Sequence, residues 1–305
     1  MVAISSTVKR KPSRKRPAPI IPALQRHSKV SHTFVHKGAI SVEFRRPNAV
    51  PATTRSNGRR LQFRWADAIS ISEWAIYRDA IETVRKSRIP FLLGGGFALA
   101  AFTGCWRDTK DIDFYIHPRD KKIAIAALKR AGFSDYYKHK KYDRRWIYRS
   151  IRANVVVDII WSMANRRASV DDLWFRHASS ISIRGQKLLV VPIEEFIWCK
   201  LYILQRDHCD WTDILNVLYS RGTRVNWARL LERLRNDTPL LKAILLIYSW
   251  LCPGRTCELP KHFCHKLGLN SPVRSIGSLR RDRVRYLDSR AWFAGLQQKR
   301  KKLQL

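Results

Sequence analysis

Ordered patterning of apolar and polar positions begins near Ala66. Ser70 stands three residues before Glu73, a capping-box spacing, and Trp74, Tyr77, Ile81 and Val84 then recur at helical steps. A helix with one apolar face is predicted there, and Pro90 rules out its continuation. Phe91 to Leu93 reads as a short buried strand, three glycines follow at 94–96, and Phe97 to Phe102 forms a compact apolar helix. Asp111 to His117 (DIDFYIH) alternates polar and apolar at its start, the period of a half-buried strand. Pro118 suits the first turn of a further helix, which runs through Ile123, Ala127 and Leu128 until Gly132 stops it. Residues 145–151 and 154–161 give two more strands. Residues 180–191 give a hairpin around Arg184–Gly185, closed by Pro192. From Ile193 to Leu269 only helical periods remain. An α/β half therefore precedes an all-helical half, with the boundary near Pro192.

The first 64 residues differ in kind. Fourteen Lys or Arg fall between Lys9 and Arg60 with Glu43 as the only acid, and prolines at 12, 17, 19, 22, 47 and 51 break any helical period. A largely disordered basic arm is expected over 1–64. Its Lys9–Arg16 run (KRKPSRKR) fits a nucleic-acid-binding arm or a nuclear-import-like signal. The acid-poor, Arg- and Ser-bearing composition equally fits an organellar transit peptide, or sequence upstream of the true start. The remaining expected segments are a core over 65–192, a helical domain over 193–272 and a basic tail over 273–305.

Charge sharpens this picture. The chain of 305 residues has 59 Lys plus Arg against 24 Asp plus Glu, a net of +35, which predicts attraction to polyanions and salt-sensitive association. Six cysteines without disulfide-framework spacing point to a reducing compartment. No run approaches the roughly 18 apolar residues of a membrane span. Without a secretory apolar core, the expected location is a bacterial-type cytoplasm, with nuclear or organellar targeting left open by the arm.

Candidate chemistry lies at the strand ends. Residues two apart on a strand share a face, so Asp111 and Asp113 point one way while Ile112 and Phe114 point into the core. Two repelling carboxylates on one face are most economically explained by a cation, and oxygen-only donors favour magnesium or manganese over zinc. Asp158 interrupts the otherwise apolar Val155 to Ile160 (VVVDII), where burial is costly unless the charge is paired or metal-bound. If the two strands are neighbours, three carboxylates converge and can hold two metals roughly 3.5–4 Å apart, as in-line phosphoryl chemistry uses them. Gly94, Gly95 and Gly96 sit at a strand-to-helix junction where the backbone can approach phosphates and free amides favour an anion. Arg107 and Lys110 precede the aspartates and can neutralise further phosphate charge.

The succession of apolar strand, glycine turn, short helix, Asp-x-Asp strand and a later single Asp resembles the polymerase-β-like nucleotidyltransferase superfamily. The likeness is carried by Gly94–Gly95–Gly96, by Arg107 to Asp113 (RDTKDID) and by Val155 to Ile160. It implies a mixed sheet flanked by helices and use of a nucleoside triphosphate. It further implies that Asp111 and Asp113 bind both metals and the triphosphate. Asp158 would then bind the catalytic metal and help activate an acceptor hydroxyl. More loosely, Glu194 to Lys200 (EEFIWCK), Arg206, Asp210 to Asp213 (DWTD) and Leu287 to Phe293 (LDSRAWF) resemble uncharacterised bacterial members with a helical second half. Related enzymes modify aminoglycosides or add nucleotides to tRNA. The superfamily often has Gly-Ser at the turn, and here the serine position is glycine.

Three weaker features remain. Lys200 is spaced to share a helix face with Phe196 and Leu204, so it either contacts phosphate or acceptor, or snorkels from an apolar face. Asp210 and Asp213 read mainly as caps of the following helix. Cys252, Cys257, Cys264 and His265 invite a zinc reading, though their spacing fits no common finger.

The expected activity is transfer of a nucleoside monophosphate from a triphosphate to a hydroxyl of RNA, tRNA included, with pyrophosphate released. The rivals are an aminoglycoside-type small-molecule acceptor and an inactive nucleic-acid-binding protein on the same fold. A regulatory partner, if one exists, leaves no trace in the sequence. Deleting residues 1–60 should weaken affinity for RNA and flatten its salt dependence without abolishing triphosphate binding, as titrations across a salt series would show.

Overall fold

The computed structural model describes residues 64–206, 208–269 and 280–287, without the side chains of Arg64, Arg281 and Arg285. The basic arm up to residue 63, and the tail apart from 280–287, lie outside the described residues.

The Ser70 capping box forms as predicted. The Glu73 amide donates to Ser70 Oγ at 3.2 Å, and the Ser70 amide donates to Glu73 Oε2 at 3.3 Å. Helix α1 (Ile71–Lys86) follows and buries Trp74, Tyr77, Ala80, Ile81 and Val84. Strand β1 (Leu92–Leu93) leads through Gly94 into α2 (Gly95–Thr103), which is apolar throughout and buried from Gly96 to Phe102. A helix with no polar face belongs inside, and α2 packs on α6 (Trp211–Arg221) and on β2 (Asp111–Tyr115).

The strand expected over 111–117 ends at Tyr115. Pro118 has no amide to donate, and His117 caps a 3-10 turn over Pro118–Asp120 that leads into α3 (Lys121–Arg130). Then come β3 (Ser134–Asp135), a connection over 136–146, β4 (Ile147–Arg152), β5 (Val155–Ile160), α4 (Asp172–Arg176) and the hairpin β6 (Ser179–Ile183) with β7 (Gln186–Val190). The seven strands form one mixed sheet in the order β3-β4-β5-β2-β1-β7-β6. The pairs β2/β5 and β1/β7 are parallel, and the other neighbours are antiparallel. Beyond Pro192 come α5 (Ile193–Leu201), α6, α7 (Trp227–Leu234), α8 (Thr238–Leu251), α9 (Pro253–Thr256) and α10 (Lys261–Lys266). Helix α11 (Arg281–Leu287) follows and lies on α8.

Charged residues buried in the helical half are matched one against another. Glu195 is fully buried and accepts from Arg229 Nη2 at 3.3 Å and Arg233 Nε at 3.1 Å. Arg233 also grips Asp171 at the start of α4 through two bonds of 2.6 and 2.9 Å. This guanidinium therefore ties α7 to α5 and to the segment that follows the sheet's central strands.

Removing Arg233 leaves buried Glu195 with Arg229 alone and strips Asp171 of both its guanidinium bonds. Arg233→Ala should therefore lower unfolding free energy by about 3 kcal/mol. Adding Glu195→Gln should recover part of that loss in the same urea titration. Strictly additive losses would show that the two side chains are not coupled.

Candidate functional site

The parallel pairing of β2 and β5 sets Asp113 directly opposite Asp158 and Asp111 opposite Val156. Alternation along both strands turns Ile112, Phe114, Val157 and Ile159 into the core, each with no exposed surface, and leaves the three carboxylates on the other face. One oxygen from each of Asp111, Asp113 and Asp158 lies within 4.8 Å of the other two. Among the described residues no other set of three His, Cys, Asp or Glu side chains converges in this way, so Cys252, Cys257, Cys264 and His265 do not assemble a metal site there.

Each carboxylate has a different environment. Thr109 Oγ1 hydrogen-bonds the Asp111 carboxylate. Arg149 faces Asp158 across the antiparallel β4/β5 pair and binds it with both prongs, Nε to Oδ1 at 2.9 Å and Nη2 to Oδ2 at 2.6 Å. Burial nevertheless outweighs this guanidinium and pushes the Asp158 carboxyl up to about 6. Asp113 has no ion-pair partner among the described residues. Loss of hydration, then the charges of Asp111 and Asp158, drive its carboxyl well above the usual range, against the opposing pull of Lys200 and Arg149. Burial and mutual repulsion thus both disfavour the full charge of the cluster, most of all at Asp113.

The glycine turn and the carboxylates fit together sterically. The Gly94 amide donates to the Asp113 carbonyl at 3.0 Å, and a β-carbon on Gly94 would stand 2.0 Å from the Tyr115 ring. At Gly95, φ is +48° and a β-carbon would stand 1.7 Å from Asp113 Oδ2. Any side chain here would therefore displace the central carboxylate. No side chain caps α2 at Gly94, so the first amides of this helix are left without the partner a capping residue would supply.

Across the cavity stand two cations, Arg107 and Lys200, balanced by two carboxylates. Lys200 is buried rather than snorkelling, with Nζ 2.6 Å from Asp210 Oδ2 and 2.8 Å from Asp213 Oδ2. Burial opposes its charge, but Asp213 and Asp210 outweigh that and hold its pKa above the ordinary lysine value. Arg107 Nη1 reaches the other oxygen of Asp213 at 2.8 Å. The capping role expected of the two aspartates is corrected by this geometry. Asp210 occupies the N-cap position of α6, yet its side chain makes no capping bond because it is committed to Lys200.

A cavity of about 220 Å³ joins these groups. Gly95, Gly96, Arg107, Asp111, Asp113, Asp158 and Lys200 all line it, so most residues singled out from the sequence share one space. Lys110 does not line it. That side chain is exposed, and the residue contributes its carbonyl, which accepts from the Val156 amide at 2.9 Å. Sequence reasoning missed Arg149 and Thr109, the direct partners of Asp158 and Asp111. A signal for Arg149 existed: the two-residue turn Ala153–Asn154, both at positive φ, pairs 152 with 155 and so brings 149 opposite 158.

No curated protein matches this chain. Distant likenesses exist among solved structures. The antibiotic-resistance factor ANT(2'')-Ia is 16% identical, with 59% of this chain and 98% of that chain covered and a TM-score of 0.41. The lincosamide antibiotic adenylyltransferase LnuA is 17% identical, with coverage of 49% and 96% and a TM-score of 0.35. An antigenic nucleotidyltransferase-like protein from Paracoccidioides brasiliensis is 20% identical, with coverage of 58% and 94% and a TM-score of 0.36. Residues 59–251 match the model of a family described as uncharacterised nucleotidyltransferase, and the chain belongs to that family.

Proposed function

We propose that this nucleotidyltransferase moves a nucleoside monophosphate from a nucleoside triphosphate to a hydroxyl of RNA, tRNA included, with Asp111, Asp113 and Asp158 as its catalytic carboxylates. The observation that carries the reading is the meeting of these three carboxylates beside a turn that tolerates no β-carbon.

The donor set fits a divalent cation. All three ligands are oxygens, and the rise in the Asp113 carboxyl, caused first by burial and then by the charges of Asp111 and Asp158, is one that a bound cation would oppose. Asp111, Asp113 and Asp158 would hold two magnesium or manganese ions. When bound, the ions neutralise charge developing on the phosphates and ease loss of the acceptor's proton. The uncapped amides at Gly95 and Gly96 receive phosphate oxygens at the positive end of α2, and Arg107 and Lys200, both paired with Asp213, face them across the cavity. The acceptor oxygen bonds to the α-phosphorus, the bridging α–β bond breaks, and pyrophosphate leaves. Asp158, oriented by Arg149, is the carboxylate that orients the acceptor hydroxyl and takes its proton.

An RNA acceptor is favoured over a cationic antibiotic by the lining of the cavity. Its acids outside the triad already have cation partners, Asp210 on Lys200 and Glu195 on Arg229 and Arg233. No surplus acid is left there for an aminoglycoside's ammonium groups.

Incubation of the protein with magnesium, each radiolabelled triphosphate and total RNA should move label to RNA. Asp111→Ala with Asp113→Ala should cut the rate by about 100-fold or more. Equal RNA binding by both proteins without transfer would mark an inactive binding protein. Transfer to a cationic small molecule alone would overturn the RNA acceptor.

Metal linkage should follow pH with a defined sign. Carboxyls raised in the folded state bind protons more tightly than in the unfolded chain. Their contribution to stability is therefore present at low pH and is lost as pH rises from the ordinary carboxylate range, through about 6 for Asp158 and through the raised value of Asp113. Magnesium should raise Tm more at about pH 8 than at about pH 5, and the Asp111→Ala, Asp113→Ala variant should lose that difference. A magnesium shift independent of pH would argue against the cluster as the ion's site.

A further inference from the structure

The connection between β3 and β4 has no part in the chemistry described so far. It is nonetheless rich in cationic and aromatic side chains. Residues 135–145 (DYYKHKKYDRR) hold five Lys or Arg against two Asp, with three tyrosines among them. Both acids are already neutralised, Asp135 by Arg144 at 2.7 Å and Asp143 by Arg145 at 2.9 Å. Lys138, Lys140 and Lys141 are exposed and make no ion pair among the described residues. Tyr137 is also exposed, and the Arg144 guanidinium lies 4.0 Å from its ring centroid.

This segment is fastened to the catalytic side of the sheet. Tyr142 Oη accepts from the Arg149 amide at 2.9 Å and donates to the Arg149 carbonyl at 3.2 Å. Arg149 in turn grips Asp158, and its guanidinium lies 5.8 Å from the Tyr136 ring. At the segment's end Trp146 lines the cavity, and Trp161 Nε1 donates to the Arg145 carbonyl at 2.9 Å. Lys121, at the start of α3, sits over the Trp161 ring at 5.2 Å and extends the basic rim.

We propose that residues 136–146 form the docking surface for the acceptor RNA, receiving a single-stranded segment whose terminal hydroxyl reaches Asp158. The inference rests on the transferase reading above and adds where the polyanion is held. Three lysines without carboxylate partners suit a phosphate chain, and an exposed tyrosine backed by a guanidinium offers a face on which a base can stack. An acidic peptide would use the lysines but gain nothing from the ring. A membrane surface would call for exposed aliphatic side chains, and the segment has none.

The test measures binding and needs no turnover. A fluorescent single-stranded RNA with a free terminal hydroxyl is titrated by anisotropy against the full chain over a salt series. The same is done with K138Q/K140Q/K141Q and with Tyr137→Ala. The lysine variant should lose about 10-fold or more in affinity, and the slope of log affinity against log salt should shallow by about 2. Tyr137→Ala should lose about 5-fold with the salt slope unchanged. The matching single-stranded DNA should show the same two losses if backbone and bases are what is read. Unchanged RNA affinity and slope in the lysine variant would overturn the proposal. So would polyglutamate losing as much as RNA while Tyr137→Ala loses nothing, because the surface would then be one for acidic chains. Wild-type affinity for magnesium triphosphate, with its loss in Asp111→Ala, Asp113→Ala, is measured in parallel. Failure there overturns the transferase reading, and the RNA result at the loop is still read independently.

Discussion

Everything at the site follows from holding three carboxylates on one face of a sheet at a separation where they repel. Water would screen them, but Asp158 is buried and Asp113 half-buried, so the repulsion acts at reduced effective dielectric. The fold answers unevenly. Asp158 receives a bidentate guanidinium and Asp111 a hydroxyl, while Asp113, in the middle, receives no cation among the described residues. The deficit falls on the carboxylate that Gly95 approaches too closely to carry a side chain. Residue choice at the turn and charge imbalance on the strand are thus two sides of one arrangement.

The helical half obeys the opposite rule. Glu194, Glu195, Asp210 and Asp213 are all buried, and each meets a cation: Arg229 for the first two with Arg233, and Lys200 for the last two with Arg107. Burying a charge without a partner is costly, so these matched sets serve position, clamping α5, α6 and α7 around the cavity. The comparison separates roles. These buried carboxylates of the helical half are all paired, whereas at the cavity Asp158 is paired with Arg149 and Asp113 has no ion-pair partner among the described residues.

Much of this was legible in the sequence because short-range rules govern it. The alternation at Asp111–Phe114, the apolar run around Asp158, the glycine turn and the hairpin about Arg184–Gly185 each reflect a period of two or a backbone requirement that a few residues settle. Partners were harder to see. Thr109, two residues from Asp111, folds back onto that carboxylate, which alternation alone does not foretell. Lys200, Asp210 and Asp213 are spaced like a helix face and a helix cap. Their true relation depends on how α5 and α6 cross, and no local pattern encodes that crossing. The strand ends shifted for a similar reason: β2 stops at Tyr115 because the turn at Pro118 takes over, although the Ile116 amide still reaches the Ile160 carbonyl at 2.9 Å.

A protein with this charge faces a conflict if its partner is a polyanion. The cations of the 136–146 segment draw a phosphate chain in, while the carboxylate cluster repels any phosphate that comes near. Distance decides between them. At physiological ionic strength the Debye length is about 8 Å, so exposed lysines dominate the approach, and the buried cluster acts only on groups already inside the cavity. On the reading proposed, a strand can settle on the rim unaided but cannot bring its end to Asp158 until positive charge fills the space between the aspartates. Divalent cations would then do more than assist the reaction. They would decide whether an anionic acceptor can reach the centre at all, and Asp113, which has no ion-pair partner among the described residues, would be the group that most needs them.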